Sequence, residues 1–475
     1  MLTTFTPFTF ETASPESVGI STASIAEFEE KLREKQIGHQ GYMLYRHGKL
    51  AAKSIASPYR MTDKRHVFSV SKTWTSTAIG LAVDEGRLTV EDPVISFFPE
   101  LLPETVSDNL AAMKVKHLLS MNTGHQNDTT GRVATREPGW AKRFLSLDVE
   151  NVPGTHFVYN STATYMLSAI ITKITGMSLL DYIRPRLLNP LGIDDIYWLE
   201  SPDGINVGGW GIHVSQEDML KLGVLYLNRG TWNGRRILSE AWIDEATSAV
   251  SDNSSGGTID WKVGYGYQIW RCQYNCFRAD GACSQYIIVS PDTDSVAVII
   301  SEENRMQPIL DIYYDTILAS MSDKPLPMSA PCDIDAHPFV TLPEGCYTLP
   351  APISGKVPAN PFGLCAVAAR PCENGLALTI TGAEETAEVI CGGGFWEYND
   401  ISHCPITPGG FLGALSIGTK ARIAAAYAVD GGRVKIALQF VSLPHGLTLE
   451  LDATSVTVSK TLDRVSGNKT ELKFL

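Results

Sequence analysis

Phe68-Ser69-Val70-Ser71-Lys72-Thr73-Trp74 opens a long apolar run that reaches Val83 and closes on Asp84-Glu85-Gly86. Trp74, Ala78, Ile79, Leu81 and Ala82 fall on most sides of a helix drawn through it, the pattern of a helix buried inside a domain. Gly86 supplies the C-terminal stop. If that helix starts at Ser69, Lys72 lies one turn on along the same face, and the serine hydroxyl meets the positive end of the helix dipole. A serine attacks only after something takes its proton. A lysine can take it only when uncharged, and burial pushes its pKa that way. Ser-x-x-Lys also arises by chance, so the pair needs partners elsewhere in the chain.

Upstream, Ser21 caps a helix running to about Lys35 with Ile25, Phe28 and Leu32 on one face. Gly41 to Leu50 reads as a hairpin turning at His47-Gly48. Downstream, residues 126–137 are polar and rich in Thr and Arg, a surface loop. Pro153 to Ser161 leads into a helix over about 162–175, and another runs from Leu179 to Leu188. From Val263 the pattern turns to strands, including Gln285 to Val289 and Ser295 to Ile300, and residues 308–321 return to helix. Strands near both ends with helices between them predict an α/β (α+β) sheet domain, residues 1–323, interrupted by a helical insert over about 73–215. Residues 324–337 begin with the proline-rich Lys324 to Pro331 and read as a linker. Residues 338–475 are glycine-punctuated short strands such as Arg433 to Phe440, a separate all-β barrel or sandwich.

Composition limits the function classes. The 475 residues are 44% hydrophobic and 19% charged, with a net charge of −13, which argues against nucleic acid or an anionic membrane surface as partner. No window is apolar enough to span a bilayer, and the N-terminus lacks the pattern of a secretory signal, so the cytoplasm is the expected location. The nine cysteines are then read as free thiols. Cys272 with Cys276 and His403-Cys404 do not make two matched ligand pairs, so no metal is expected. Gly204 to Gly211 lacks the spacing of a nucleotide loop, and no cofactor is called for. His47, His66 and His117 stand alone and read as packed or exposed residues rather than catalysts. Oligomeric state is open.

Two further stretches can join Ser69 and Lys72. Tyr159 sits in a Pro-Gly-introduced loop immediately before a helix, where a phenol can serve as second base or proton relay; a tyrosine packed under the loop is the plain alternative. Ala279-Asp280-Gly281-Ala282-Cys283-Ser284-Gln285 lies on a strand, where Gly281 lets a substrate approach the backbone edge. The amides of Ala282 and Ser69 can then make an oxyanion hole, against a plain strand turn without function. No Gly-x-Ser-x-Gly elbow surrounds Ser69.

Ser69-Val70-Ser71-Lys72, Tyr159-Asn160-Ser161 and Ala279-Asp280-Gly281, in that order, resemble the motifs of the serine β-lactamase and penicillin-binding protein superfamily. The resemblance covers about residues 15–320 and is nearest to the class C-like branch of esterases, D-aminopeptidases and 6-aminohexanoate-dimer-type amide hydrolases. It implies an antiparallel sheet flanked by helices. It also implies Ser69 as acylated nucleophile, Lys72 and Tyr159 sharing the proton shuttle, and the amides of Ser69 and Ala282 as oxyanion hole. Ser161 stands where the family usually has Asn, and Ala279 where it has a Lys or His that helps hold a substrate carboxylate. Some ester and amide hydrolases of the branch carry Ala-x-Gly there, followed by a Gly-Gln pair that is Ser284-Gln285 in this chain. Trp210 and Tyr265 flank glycine loops that this fold brings near the site, with pocket lining and core packing equally open. The leading expectation is a serine hydrolase of a small ester or amide. The alternatives are a D-Ala-D-Ala-type peptidase or β-lactamase, and a non-catalytic binding or sensing protein that keeps the fold.

Overall fold

The computed structural model describes residues 4–328, 340–348, 351–401, 406, 421–443, 445–461 and 466–475. His39–Arg46 and Lys49–Ile55 form the hairpin expected around His47-Gly48, whose φ values of 48° and 81° are those of a tight two-residue turn. The strand Ser295–Ser301 pairs antiparallel with His39–Arg46. That pairing joins the N-terminal hairpin to the later strands in one sheet of six, in the order Lys49–Ile55, His39–Arg46, Ser295–Ser301, Gln285–Ser290, Phe277–Gly281, Trp270–Arg271.

Ser295–Ser301 is buried along its whole length because both faces of the sheet are covered. Ala297 and Ile299 pack toward the helices Thr22–Glu34 and Met306–Thr316, while Val296, Val298 and Ile300 belong to the core on the opposite face. On that face the helix Gln216–Leu227 lies so close that a Cβ at Gly223 would stand 2.6 Å from Val296 Cγ1. Between Ile55 and Trp270 the chain leaves the sheet for the helices Ser71–Asp84 and Ser161–Thr175, several shorter helices, and a small sheet of Arg65–His66, Ile212–Val214 and Tyr197–Trp198. Two expectations change here. The helix begins at Ser71 rather than Ser69, after a 3₁₀ turn over Phe68–Val70. The polar stretch 126–137 is only partly surface: it holds the short helix Thr130–Val133, and Thr129, Thr130 and Val133 are buried. The Thr129 hydroxyl is drawn inward by Asn160, whose Oδ1 accepts from it at 3.0 Å.

Residues beyond 350 form a second, ten-stranded sheet that shares no strand with the first. It curls until its edges meet: the Leu475 amide donates to Lys356 O at 2.9 Å, and the Phe474 ring covers Gly355. The arrangement is a closing barrel rather than two packed layers. The predicted Asp430-Gly431-Gly432 turn joins Ala421–Asp430 to Arg433–Phe440. Residues 329–337 of the expected linker, and the pair His403-Cys404, lie outside the described residues. The seven described cysteines are free thiols, and no cluster of metal-ligating side chains occurs among the described residues. No single described helix is long and apolar enough to cross a membrane.

Candidate active site

Ser69 sits at the bend between the strand Arg65–His66 and the helix Ser71–Asp84. The residue before it, Phe68, is fully buried and has φ of 47°, a left-handed conformation that a bulky residue adopts only when its surroundings impose it. They do so through hydrogen bonds. The Val67 amide donates to Ile212 O at 3.3 Å, the Val70 amide to Val67 O at 3.2 Å, and the Ser71 hydroxyl to Phe68 O at 2.6 Å. The turn leaves Ser69 partly exposed in an otherwise buried stretch.

The Lys72 ammonium reaches Ser69 Oγ at 2.9 Å, Ser161 Oγ at 3.0 Å and Gly209 O at 2.7 Å. It is 1% exposed, and burial lowers its pKa to about 7 against the opposing pull of the Asp128 and Asp280 carboxylates. A lysine in that range is half uncharged at neutral pH, which is what removal of a serine proton requires. The Tyr159 ring lies 4.8 Å from Lys72 Nζ, and the Ser69 side chain acts on its hydroxyl by lowering the phenol's pKa. Burial first, then Asp280, holds the phenol well above its usual pKa. Tyr159 therefore remains protonated and can donate, rather than resting as a phenolate.

The loop carrying Tyr159 is fixed from below. Asn160 caps the helix Ser161–Thr175 by accepting from the Thr162 amide at 3.1 Å, and also accepts from Thr129. That capping points Tyr159 and Ser161, its neighbours on either side, to the Lys72 side of the loop. The Tyr159 ring stacks on Trp270 at 5.3 Å and meets Tyr265 edge-on at 6.2 Å. Trp270 in turn faces Arg278, which is fully buried, lies 4.3 Å over Trp261 and pairs with Asp280 at 2.9 Å.

The strand Phe277–Gly281 ends against the serine. A Cβ at Gly281 would stand 2.2 Å from Val67 O and 3.2 Å from the Ser69 amide nitrogen, so only glycine fits. The close approach is thus between two parts of the chain itself, and it starts the Ala282 peptide beside the Ser69 amide. Ala282 is partly exposed, whereas Ala279 is buried. Ser284 and Gln285 are buried braces of the turn, with Ser284 Oγ donating to Glu303 O at 2.8 Å and Gln285 Nε2 to Ser301 O at 2.6 Å. Trp210 is buried with its ring stacked 6.0 Å from Trp140, and Tyr265 is buried behind Tyr159, so both pack the walls.

Ser69, Lys72, Tyr159 and Ser161 are thereby brought together, with Gly281 and Ala282 alongside. The sequence by itself assigns no role to Gly209, Asn160, Thr129, Asp128 or the Arg278–Asp280 pair. A signal existed for two of them: Gly209 lies in the glycine loop, and Asn160 stands between Tyr159 and Ser161.

A family model described as Beta-lactamase matches residues 25–318. The 6-aminohexanoate-dimer hydrolase of Paenarthrobacter ureafaciens is 25% identical over 299 residues, 58% of this chain and 75% of that protein. Among solved structures, the octameric penicillin-binding protein homologue from Pyrococcus abyssi is 17% identical with a TM-score of 0.52, covering 88% of this chain and 98% of that one. SurE with D-Leu is 18% identical with a TM-score of 0.53, covering 95% and 99%. These two likenesses extend the shared fold into the second sheet.

Proposed function

The chain belongs to the Beta-lactamase family, and from that premise we propose that it is a serine hydrolase of small esters or amides, working through an acyl-enzyme on Ser69. The observation that carries this reading is the buried Lys72 amine, shared among Ser69 Oγ, Ser161 Oγ and Gly209 O. Uncharged Lys72 takes the Ser69 proton as Oγ attacks the substrate carbonyl. The oxyanion forms between the amides of Ser69 and Ala282. Tyr159 donates its proton to the departing alcohol or amine and is refilled from Lys72. Water then attacks the acyl-serine, giving its proton back through the same pair as the carboxylic acid leaves.

The amide-hydrolase relative agrees with this chemistry, and the uncharged Ala279 favours substrates without the carboxylate that a penicillin or a D-Ala-D-Ala peptide presents. Residues 1–323 are read as the hydrolase unit and 338–475 as a second unit, a division supported by two sheets that share no strand. The deciding experiment is intact-mass analysis after a fluorophosphonate probe. One adduct that maps to Ser69 is expected, and an unmodified chain would refute the hydrolase reading. Labelling of Ser69 by a fluorescent penicillin would shift the substrate class to β-lactams.

Because Lys72 must be uncharged to act, kcat/KM is expected to fall as pH drops through about 7. Asp128 favours the charged lysine and so raises its pKa. Asp128→Asn keeps the Oδ1 that accepts from the Thr130 amide at 3.0 Å but loses the charge. The acid limb should then move to lower pH, by less than about one unit because Asp128 is exposed and screened. A limb that moves upward contradicts the assignment of Lys72 as base.

A further inference from the structure

We propose that the second sheet is a working part of the nucleophile's mounting, acting through His66, with Tyr59 and Gln439 as positioning residues. The proposal rests on the hydrolase reading only for its chemical consequence. The His66 amide donates at 2.9 Å to Ser442 O, in the turn after the second-sheet strand Arg433–Phe440. The His66 ring is fully buried, and its Nε2 accepts from the Gly211 amide at 2.9 Å. His66 therefore holds two things at once. Three residues after it comes Ser69, reached through the strained Phe68, on whose ring the imidazole packs at 4.2 Å. Two residues before Gly211 comes Gly209, whose carbonyl accepts from Lys72. A shift of His66 moves the nucleophile and the base's anchor together.

The contact that fixes His66 against the second sheet is polar and buried. Tyr59 Oη accepts from Gln40 Nε2 at 2.6 Å on the first sheet's side and from Gln439 Nε2 at 2.5 Å on the other. Arg65, next to His66 and 2% exposed, donates to Gln40 Oε1 and lies 4.6 Å over the Tyr59 ring. Gln439 is 1% exposed and directly precedes Phe440 at the end of its strand, shortly before Ser442. Tyr398 Oη donates to Pro58 O at 2.5 Å, and Tyr59 packs with Ala424 and Val441. Buried polar groups tolerate little slack, because each displaced partner leaves a desolvated donor or acceptor. The seam therefore sets the position of Arg65–His66 rather than merely covering it.

Two full-length variants test this, Gln439→Leu and the milder Tyr59→Phe, each by two readouts. The rate constant of Ser69 labelling by a fluorophosphonate is expected to fall about ten- to a hundredfold, as for other small misplacements of a reacting group. Its acid limb should shift, since the Lys72 surroundings move with Gly209. Amide exchange in the peptide spanning residues 66–72 should quicken. A variant with a lowered melting temperature, but with labelling rate, pH profile and exchange all within twofold of wild type, would show the seam to be structural only. If Gln439→Leu does not fold, Tyr59→Phe decides alone. If wild-type Ser69 takes no adduct, the hydrolase reading fails, while the exchange measurement still decides the coupling.

Discussion

Ser69→Ala is expected to lower kcat/KM for p-nitrophenyl butyrate by about 10⁴-fold or more, to whatever the remaining donors give by binding alone. The variant should stay folded and melt at or above the wild-type temperature. Ser69 is partly exposed, its hydroxyl accepts from Lys72, and alanine suits a 3₁₀ turn equally well. Ser71 offers no competing nucleophile: its hydroxyl is fully buried, donates to Phe68 O and accepts from the Ile212 amide at 3.2 Å. Retention of wild-type turnover by Ser69→Ala, on protein freed of host esterases, would sink the assignment of the nucleophile.

The parts of this site legible in the sequence are those set by local rules. Ser69 and Lys72 lie three apart next to a buried helix, and i, i+3 proximity follows from helical geometry even though the helix starts two residues late. The Pro-Gly entry and the helix after it point to Tyr159, because a helix start fixes the direction of the residues just before. What stayed hidden depends on pairing across long stretches of chain. Nothing local to residue 209 says that its carbonyl will meet Lys72, since that follows from the register of Arg65–His66 against Ile212–Val214. Gly281 also admits the Val67 carbonyl, a contact that only the assembled sheet creates and that nothing local announces. Residues 126–137 read as surface because their side chains are polar. Thr129 is buried all the same, since Asn160 and Thr162 satisfy its hydroxyl.

Lys72→Met should separate function from stability. Activity is expected to fall by about 10³-fold, the range for loss of a positioned general base. Stability carries the opposite signature. In the unfolded chain Lys72 keeps its proton to about pH 10.5, in the folded chain only to about pH 7. Between those values the unfolded state binds more protons, so wild-type folding becomes more favourable as pH rises, and below pH 7 the full penalty of burying the lysine is present. Methionine fills the space and has no such penalty. It does leave Gly209 O and the Ser69 and Ser161 hydroxyls without the amine, a loss that does not vary with pH. The absolute difference between the two proteins mixes both effects, but its slope with pH does not. Variant minus wild type, the unfolding free energy should fall by on the order of 2–3 kcal/mol from pH 6.5 to pH 9.5. Denaturant titrations at those two pH values measure it. A difference that stays constant would mean that Lys72 remains charged in the folded chain, leaving Ser69 without a base at neutral pH.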